Sequence, residues 1–366
     1  MIEKDNRIRI LQIISGMGSG GAEMFLMNMY RNMDHNKIVF DFLLQSGENL
    51  YKEELQTYGS IIHTIPQYFK HPLQNHAELR KVLNNDYSII HVHANALLYI
   101  TPIIYAHKAN IPCRIMHSHN SSLYYKWALP YHRINKLRIK KHATHRFACS
   151  NEAGRWMFDS DFTVIRNAID LDRFAFSSEL REKHRRELGI SDEALVIGQI
   201  GRLWEVKNQS FTLDVLKHVL SQRDDCELLF VGEGSDEQML KKKAHDLGIE
   251  EHVRFLGVRT DVHSLINAFD ILAFPSLYEG LPIVMVESQA NGLSVICSTA
   301  IPKECIFSKN IRRIPLEEGE KAWADAIIST EIQRTDNRSE LVNAGYDIKE
   351  EARKLQDFYL SVAKEK

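Results

Sequence analysis

The sequence predicts an α/β protein made of two doubly wound, mostly parallel sheets, each covered by helices on both faces. Three observations carry this. Short apolar runs alternate with helix-period segments along almost the whole chain, the pattern of strand–helix–strand units. Several of these runs are apolar without strict alternation, as strands buried on both faces require. At 366 residues the chain is also too long for one typical core, so two domains of about 150–200 residues are expected.

In chain order, strands are expected at 7–14, 38–45, 61–65, 88–93, 113–118, 145–150 and 162–167, with helices between them such as 22–33 and 97–109. The charged stretch 168–193 lacks a strand and reads as a linker carrying a short basic helix. A second alternating series follows, with strands at 195–201, 227–234, 253–258, 271–276 and 294–298. Residues 1–167 thus form an N-terminal domain and 194–346 a C-terminal one. The segment 347–366 is a helix with apolar residues at Leu355, Phe358, Tyr359 and Val362, expected to pack back on the N-terminal domain.

Composition excludes several classes. A formal net charge of −2 gives no global field for nucleic acid. Five scattered cysteines without a CxxC argue against a disulfide framework or zinc site and for a reducing compartment. No run approaches the roughly 18 apolar residues of a spanning helix, and the N-terminal run lacks a signal-peptide pattern. A cytoplasmic protein, at most peripheral to a membrane, is expected.

Ligands of open α/β sheets bind at the carboxyl ends of strands, so the chemistry is sought there. After the first strand, Gly16, Gly18 and Gly21 fit G-x-G-x-x-G, a dinucleotide fingerprint, with Asp41 about twenty residues on. A nicotinamide-dependent oxidoreductase is therefore an alternative. Against it, Asp41 lies inside its strand rather than at the end. The loop continues through Gly20 and Gly21 to Glu23 in the first helical turn, where the acid suits the helix dipole.

In the C-terminal domain, Gly201 permits close backbone approach, and Arg202 and Lys207 follow it. A forked guanidinium and a point-charge ammonium can together neutralise a diphosphate. Gly232 belongs to a glycine-rich loop after the next strand. Val258 and Arg259 lie on a further loop, with Asp261 as the expected N-cap. In "SLYEGLPIVMVESQANG" (276–292), Glu279 falls in a strand-end loop. Gly280 frees the backbone, Pro282 fits a first helical turn, and Glu287 falls in the second turn. Carboxylates accept hydrogen bonds from vicinal hydroxyls. The intervening helix N-terminus can receive phosphate oxygens. The set suits a nucleotide-sugar.

Taken together, "GGAE" (20–23), "GRL" with Lys207, "VGEG" (231–234), "FLGVRTDV" (255–262) and E-x7-E (279–287) resemble the motifs of retaining glycosyltransferases of family 4. They come in family order and span nearly the whole chain. The resemblance implies the GT-B fold, two Rossmann-like domains facing a deep cleft. It implies that Arg202 and Lys207 bind the donor diphosphate, that Glu279 touches the transferred sugar, and that Glu287 binds the ribose. Val258 and Arg259 would lie by the base. Amides of Gly280, Leu281, Ile283 and Val284 would receive sugar or phosphate oxygens, and Gly20 and Gly21 would close on the donor. "NAID" (167–170) stands where the family often has N-G-[IV]-D, which puts that turn's geometry in question.

The family has a histidine at the strand end near the sugar. Here "RIMHSHNSS" offers His117 and His119, which strand alternation points the same way. The likeness of "HN" to the family's "HD" favours His119. His117 reads better as a satisfied core residue, and Glu23, His117 and Asn120 remain acceptor-side candidates. His91 and His93 add to the cluster without a carboxylate or cysteine, so no metal site is expected. The resemblance likewise implies no cofactor beyond a nucleoside-diphosphate sugar, most naturally UDP-linked, as co-substrate. The acceptor would be a saccharide or lipid-linked saccharide of cell-surface polysaccharide synthesis. The basic stretch 124–146, with Tyr124, Tyr125 and Trp127 ahead of its cations, could lie on an anionic membrane surface. A non-catalytic nucleotide-sugar-binding protein is the remaining alternative.

Overall fold

The computed structural model describes residues 7–18, 20–47, 49–120 and 126–364. The chain divides into two compact units, Met1–Ala168 with Asp347–Lys366, and Ile169–Tyr346.

The first unit holds a seven-stranded sheet: β1 (Ile8–Ile14), β2 (Ile38–Leu44), β3 (Ile62–Thr64), β4 (Ile89–Ala94), β5 (Cys113–Ser118), β6 (His145–Ala148) and β7 (Thr163–Val164). All pairings are parallel, in the order β3-β2-β1-β4-β5-β6-β7. Strand order reverses between β1 and β4, so the glycine loop after β1 opens beside the end of β4. Both faces of the sheet are covered, which is why its strands read as continuous apolar runs. On one face, Ile10, Ile14, Phe40 and Phe42 pack with Phe25, Met29 and Tyr30 of the first helix, Gly21–Arg31. Ile348, Ala352, Leu355 and Tyr359 of the C-terminal helix, Ile348–Lys364, join the same core, as its apolar spacing predicts. The helix expected at 97–109 begins later, at Thr101, with Pro102 in its first turn.

The second unit holds a six-stranded parallel sheet: β8 (Leu195–Ile200), β9 (Cys226–Val231), β10 (Val253–Phe255), β11 (Ile271–Phe274), β12 (Ser294–Ser298) and β13 (Ile311–Ile314). Its order is β10-β9-β8-β11-β12-β13, reversing between β8 and β11. The last strand, β13, is absent from the sequence expectation. Arg312 and Arg313 fill its centre, and only the run's ends are apolar, as an edge strand allows.

Residues 169–193, expected to be a linker, pack as part of the second unit. Ile169 and Leu171 are buried against Val286 and Tyr346. The helix Ser178–Leu188 is capped by the Ser177 hydroxyl at one end and by left-handed Gly189 at the other. From it Arg185, 1% exposed, reaches Asp270, 3% exposed, at 2.6 Å. Asp270 also takes Arg181 at 2.6 Å and the Val196 N–H at 2.8 Å. The buried carboxylate is thus fully satisfied, which is the condition for keeping a charge out of water.

Asp270→Ala would leave Arg185 buried without its counter-charge. It is expected to cost about 3–5 kcal/mol, read as a lowered midpoint of urea unfolding. A loss too small to measure would contradict the assigned role.

Candidate functional site

The two strand-order reversals are where the predicted residues gather. In the second unit, Arg202 and Lys207 follow β8, and Glu279 and Glu287 follow its neighbour β11. Four positions far apart in sequence therefore come from the carboxyl ends of two adjacent parallel strands, the place where doubly wound sheets take ligands.

Lys207 and Glu279 meet. Nζ donates to Oε1 at 2.6 Å, and both side chains are largely shielded from solvent. The Lys207 ammonium also lies 4.9 Å from the centre of the Phe274 ring at the end of β11. Its backbone is held by the Gln199 amide, which donates to the Lys207 carbonyl at 2.8 Å. Arg202 is exposed, its guanidinium 5.4 Å over Trp204. Asn208 stands at the N-cap of the next helix, Gln209–Leu220, in a left-handed conformation. Its side chain makes no cap and instead donates to the Pro275 carbonyl, tying the β8 loop to the β11 loop.

The glycines here have identifiable backbone reasons. Gly201 (φ 146°) and Gly232 (φ 131°) adopt conformations open to glycine. A Cβ on Gly232 would lie 2.2 Å from the Gly201 carbonyl oxygen. Gly232, predicted to face donor, is therefore required first by loop-against-loop packing. Arg259, predicted beside the base, is engaged bidentately with Asp261 at 2.7 and 2.6 Å. Asp261 accordingly occupies the N-cap position without capping, because its carboxylate is taken by Arg259. Val258 stands exposed on the same loop.

Pro282 is the N-cap of the helix Ile283–Ala290 rather than its first residue. The N–H groups of Ile283 and Val284 open that helix and have no intrahelical acceptor. Gly280 and Leu281 lead into it, both half-buried. Glu287 lies one turn on, flanked by buried Val286 and Ser288. Desolvation pushes its carboxyl up to about 7.

In the first unit, a cavity of about 480 Å³ lies between the glycine loop and the segment after β3. Gly16, Gly18, Gly20 and Glu23 line one side, and Gln67, Tyr68 and Phe69 the other. Glu23 folds back over Gly20, where a Cβ would lie 2.4 Å from its Oε2, and Gly21 is open. Aromatic and amide side chains of this kind suit a saccharide. The sequence reading missed Tyr68 and Phe69, whose only signal was two adjacent aromatics in a loop. Asp41, the acid a dinucleotide reading needs, is fully buried and consumed. It takes Arg9 at 2.8 and 2.5 Å, the Tyr87 hydroxyl at 2.9 Å and the Ile61 N–H at 2.7 Å.

His119 follows β5, half-buried, and Asn120 beyond it is exposed. His117 is fully buried but not satisfied as expected, since its Nε2 has no hydrogen-bond partner among the described residues. Its Nδ1 lies 3.1 Å from His91 Nε2, and His91 Nδ1 lies 2.6 Å from the Tyr359 hydroxyl of the C-terminal helix. His91, His93 and His117 bring one nitrogen each within 4.8 Å of the others, close enough to share a cation. The rings are also tied by hydrogen bonds to one another and to Tyr359 and Gln12.

The helix Leu129–His142 buries Ile139 but otherwise turns polar side chains inward. Polar His132 and Asn135 face inward, where His132 Nδ1 accepts from the Leu97 N–H and Asn135 donates to the Leu97 carbonyl. Outward stand Tyr131 (63% exposed), Ile134 (59%) and Leu137 (74%), continuing Trp127 (71%). Arg133, Arg138, Lys140 and Lys141 flank this stripe. Tyr124 and Tyr125 lie outside the described residues. Among the described residues, no helix is long and apolar enough to cross a membrane.

Comparison with known proteins agrees with this fold. Residues 19–173 match the family described as Glycosyltransferase Family 4, and residues 180–348 match Glycosyl transferases group 1. The chain is 31% identical to the protein named "Putative glycosyltransferase EpsF" of Bacillus subtilis (strain 168), with 96% of each chain covered. It is 26% identical to the UDP-Gal:alpha-D-GlcNAc-diphosphoundecaprenol alpha-1,3-galactosyltransferase of Escherichia coli, with 78% of each covered. Among solved structures, Anabaena HepE in complex with UDP superposes with a TM-score of 0.77 at 19% identity, covering 97% of this chain and 100% of that one. A glycosyltransferase from Rickettsia africae superposes with a TM-score of 0.79 at 16% identity, covering 99% and 100%. The fold is that of these two-domain proteins, GT-B.

Glu287 yields a pH test. Its carboxyl is raised from 4.5 to about 7, so the folded state holds the proton more tightly than the unfolded chain. Stability is therefore lost as pH rises through that window and stays low above it. Glu287→Gln should remove this loss, worth roughly 2 kcal/mol once partial exposure is allowed for. The variant's Tm should exceed wild type above about pH 7.5 and match it near pH 4.5. An equal Tm difference at both pH values would refute the buried-carboxyl reading.

Proposed function

Because the chain belongs to glycosyltransferase family 4, we propose that it is a retaining, metal-independent hexosyltransferase. It takes a UDP-linked sugar and passes the hexose to a lipid-linked saccharide during cell-surface polysaccharide synthesis. One observation carries the reading: the Lys207–Glu279 pair, held largely but not wholly shielded at the strand-order reversal of the second unit. An ammonium poised for a diphosphate is there kept in contact with a carboxylate poised for sugar hydroxyls. Donor binding exchanges the pair's mutual contact for phosphate on one side and hydroxyls on the other.

In this reading Arg202 and Lys207 meet the charge that grows on the leaving diphosphate. The N–H groups of Ile283 and Val284 supply further positive potential, the work that a metal does elsewhere. Glu287 accepts from the ribose hydroxyls, and His119 binds a hydroxyl of the sugar. The bond from the anomeric carbon to the diphosphate oxygen breaks as the acceptor oxygen bonds to that carbon on the same face. The acceptor's proton passes to the departing phosphate. Support for the donor comes from the UDP and UDP-glucose complexes of HepE. Support for a lipid-linked acceptor comes from the diphosphoundecaprenol named in the Escherichia coli relative. The saccharide end would lie in the first unit's cavity against Tyr68 and Phe69.

The exposed stripe of Trp127, Tyr131, Ile134 and Leu137 with flanking cations suits a peripheral site on an anionic leaflet, where such lipid acceptors reside. The oxidoreductase alternative is not favoured, since Asp41 is already consumed by Arg9, Tyr87 and Ile61.

Lys207→Ala and Glu279→Ala should each lower transfer from a UDP-sugar by about 10²-fold or more, with unchanged circular dichroism and with chelator present. Wild-type turnover in either variant would contradict the assignment. Ile134→Glu with Leu137→Glu should abolish co-flotation with phosphatidylserine vesicles at low salt while leaving transfer to a soluble acceptor intact. Flotation equal to wild type would remove the membrane reading.

A further inference from the structure

His91, His93, His117 and His119 of the first unit form an ordered set, and its hydrogen bonds have a direction. Parallel register places Gln12 of β1 beside His91 of β4, and His93 of β4 beside His117 of β5. All four imidazoles lie on one face, stacked in two pairs with centroids 4.3 Å apart, His91 on His93 and His117 on His119. Phe25 of the first helix covers them, 5.0 Å from His117 and 5.3 Å from His119.

Gln12 Oε1 lies 2.9 Å from His93 Nε2, and His93 Nδ1 lies 2.8 Å from His119 Nε2. With its amide oriented this way, its Nε2 unpartnered among the described residues, Gln12 presents a carbonyl oxygen, which only accepts, so His93 Nε2 carries the proton. Burial holds both His93 and His119 far below the ordinary imidazole range, His119 at about 3, so each ring is neutral. A neutral imidazole has one N–H. His93 Nδ1 is therefore a bare acceptor, and His119 Nε2 must be the donor to it. His119 Nδ1 is left bare in turn. It is buried and has no hydrogen-bond partner among the described residues. An unfilled buried acceptor is costly, and a hydroxyl donor would relieve that cost.

We propose that Gln12 and His93 are positioning residues that fix His119 as its Nε2–H tautomer, so that Nδ1 is offered as an acceptor to one hydroxyl of the sugar substrate. The substrate half rests on the reading of His119 given above; the tautomer half does not. The device makes His119 a pure acceptor. It selects a hydroxyl for that point and discriminates against a deoxy sugar or one whose oxygen is alkylated there.

The test is long-range proton–nitrogen correlation of histidine-labelled protein, with the His119 signals assigned by their loss in His119→Gln. In the wild type, Nε2 should be protonated and Nδ1 bare, with no titration between about pH 5 and 8. Gln12→Leu should shift His119 to mixed tautomers. It should also lower kcat/KM by roughly 10- to 100-fold, the size expected when a functional imidazole loses its outer partner. A proton on Nδ1 in the wild type would mean the Gln12 amide faces the other way and would overturn the proposal, even if the variant does not fold. So would a folded Gln12→Leu protein with the wild-type nitrogen pattern. If the tautomer responds as expected but His119→Ala transfers sugar normally, the substrate half falls and the tautomer half stands.

Discussion

Parallel strands must be joined by crossovers that run over one face of the sheet, and those crossovers keep one hand. A chain that winds outward from a central pair of strands in both directions leaves a crevice beyond that pair's carboxyl ends. Here it does so twice, at β1 and β4 and again at β8 and β11. The glycine loop, Gln12 and His93 belong to the first pair. Arg202, Lys207, Glu279 and Glu287 belong to the second. The chemistry has few other places to go, because elsewhere the sheets' faces are sealed by apolar side chains of the flanking helices.

Two lysine- or arginine-to-carboxylate pairs show how setting decides purpose. Arg185 and Asp270 are almost completely excluded from water, and every oxygen of Asp270 is claimed. Nothing could replace a partner there without unfolding its surroundings, so the pair holds the helix Ser178–Leu188 to the sheet. Lys207 and Glu279 make the same contact at the same distance, but each keeps part of its surface open. Solvent can compete for either member, which sets this pair apart from the sealed one and is what the proposed binding role requires.

Much of the fold was legible because apolar runs and their spacing are local properties. Twelve of the thirteen strands among the described residues announce themselves this way, and β13 does not because Arg312 and Arg313 occupy its middle. Candidate site residues were legible where strand ends could be read, as with Lys207 and Glu279. Their mutual contact was not, since sequence does not say which strands become neighbours. Segment 169–193 looked like a linker because its few apolar residues are isolated; their burial depends on partners more than a hundred residues away. Gln12 was missed for a related reason. A single amide in an apolar strand gains meaning only when parallel register sets His91 and His93 beside it. The usual rule that helices bury their apolar face would also have misplaced Ile134 and Leu137.

The C-terminal helix has one more consequence. Its Tyr359 hydroxyl touches His91, and its apolar face completes a core begun by Tyr30 and Phe40. A ribosome delivers that helix only after the strands of both sheets. The continuous second unit can condense while still being synthesised, whereas the first, started earliest, must wait with one flank of its sheet bare. The order of birth and the order of completion are inverted. A nascent chain halted before residue 348 would present that greasy flank to chaperones rather than a finished enzyme.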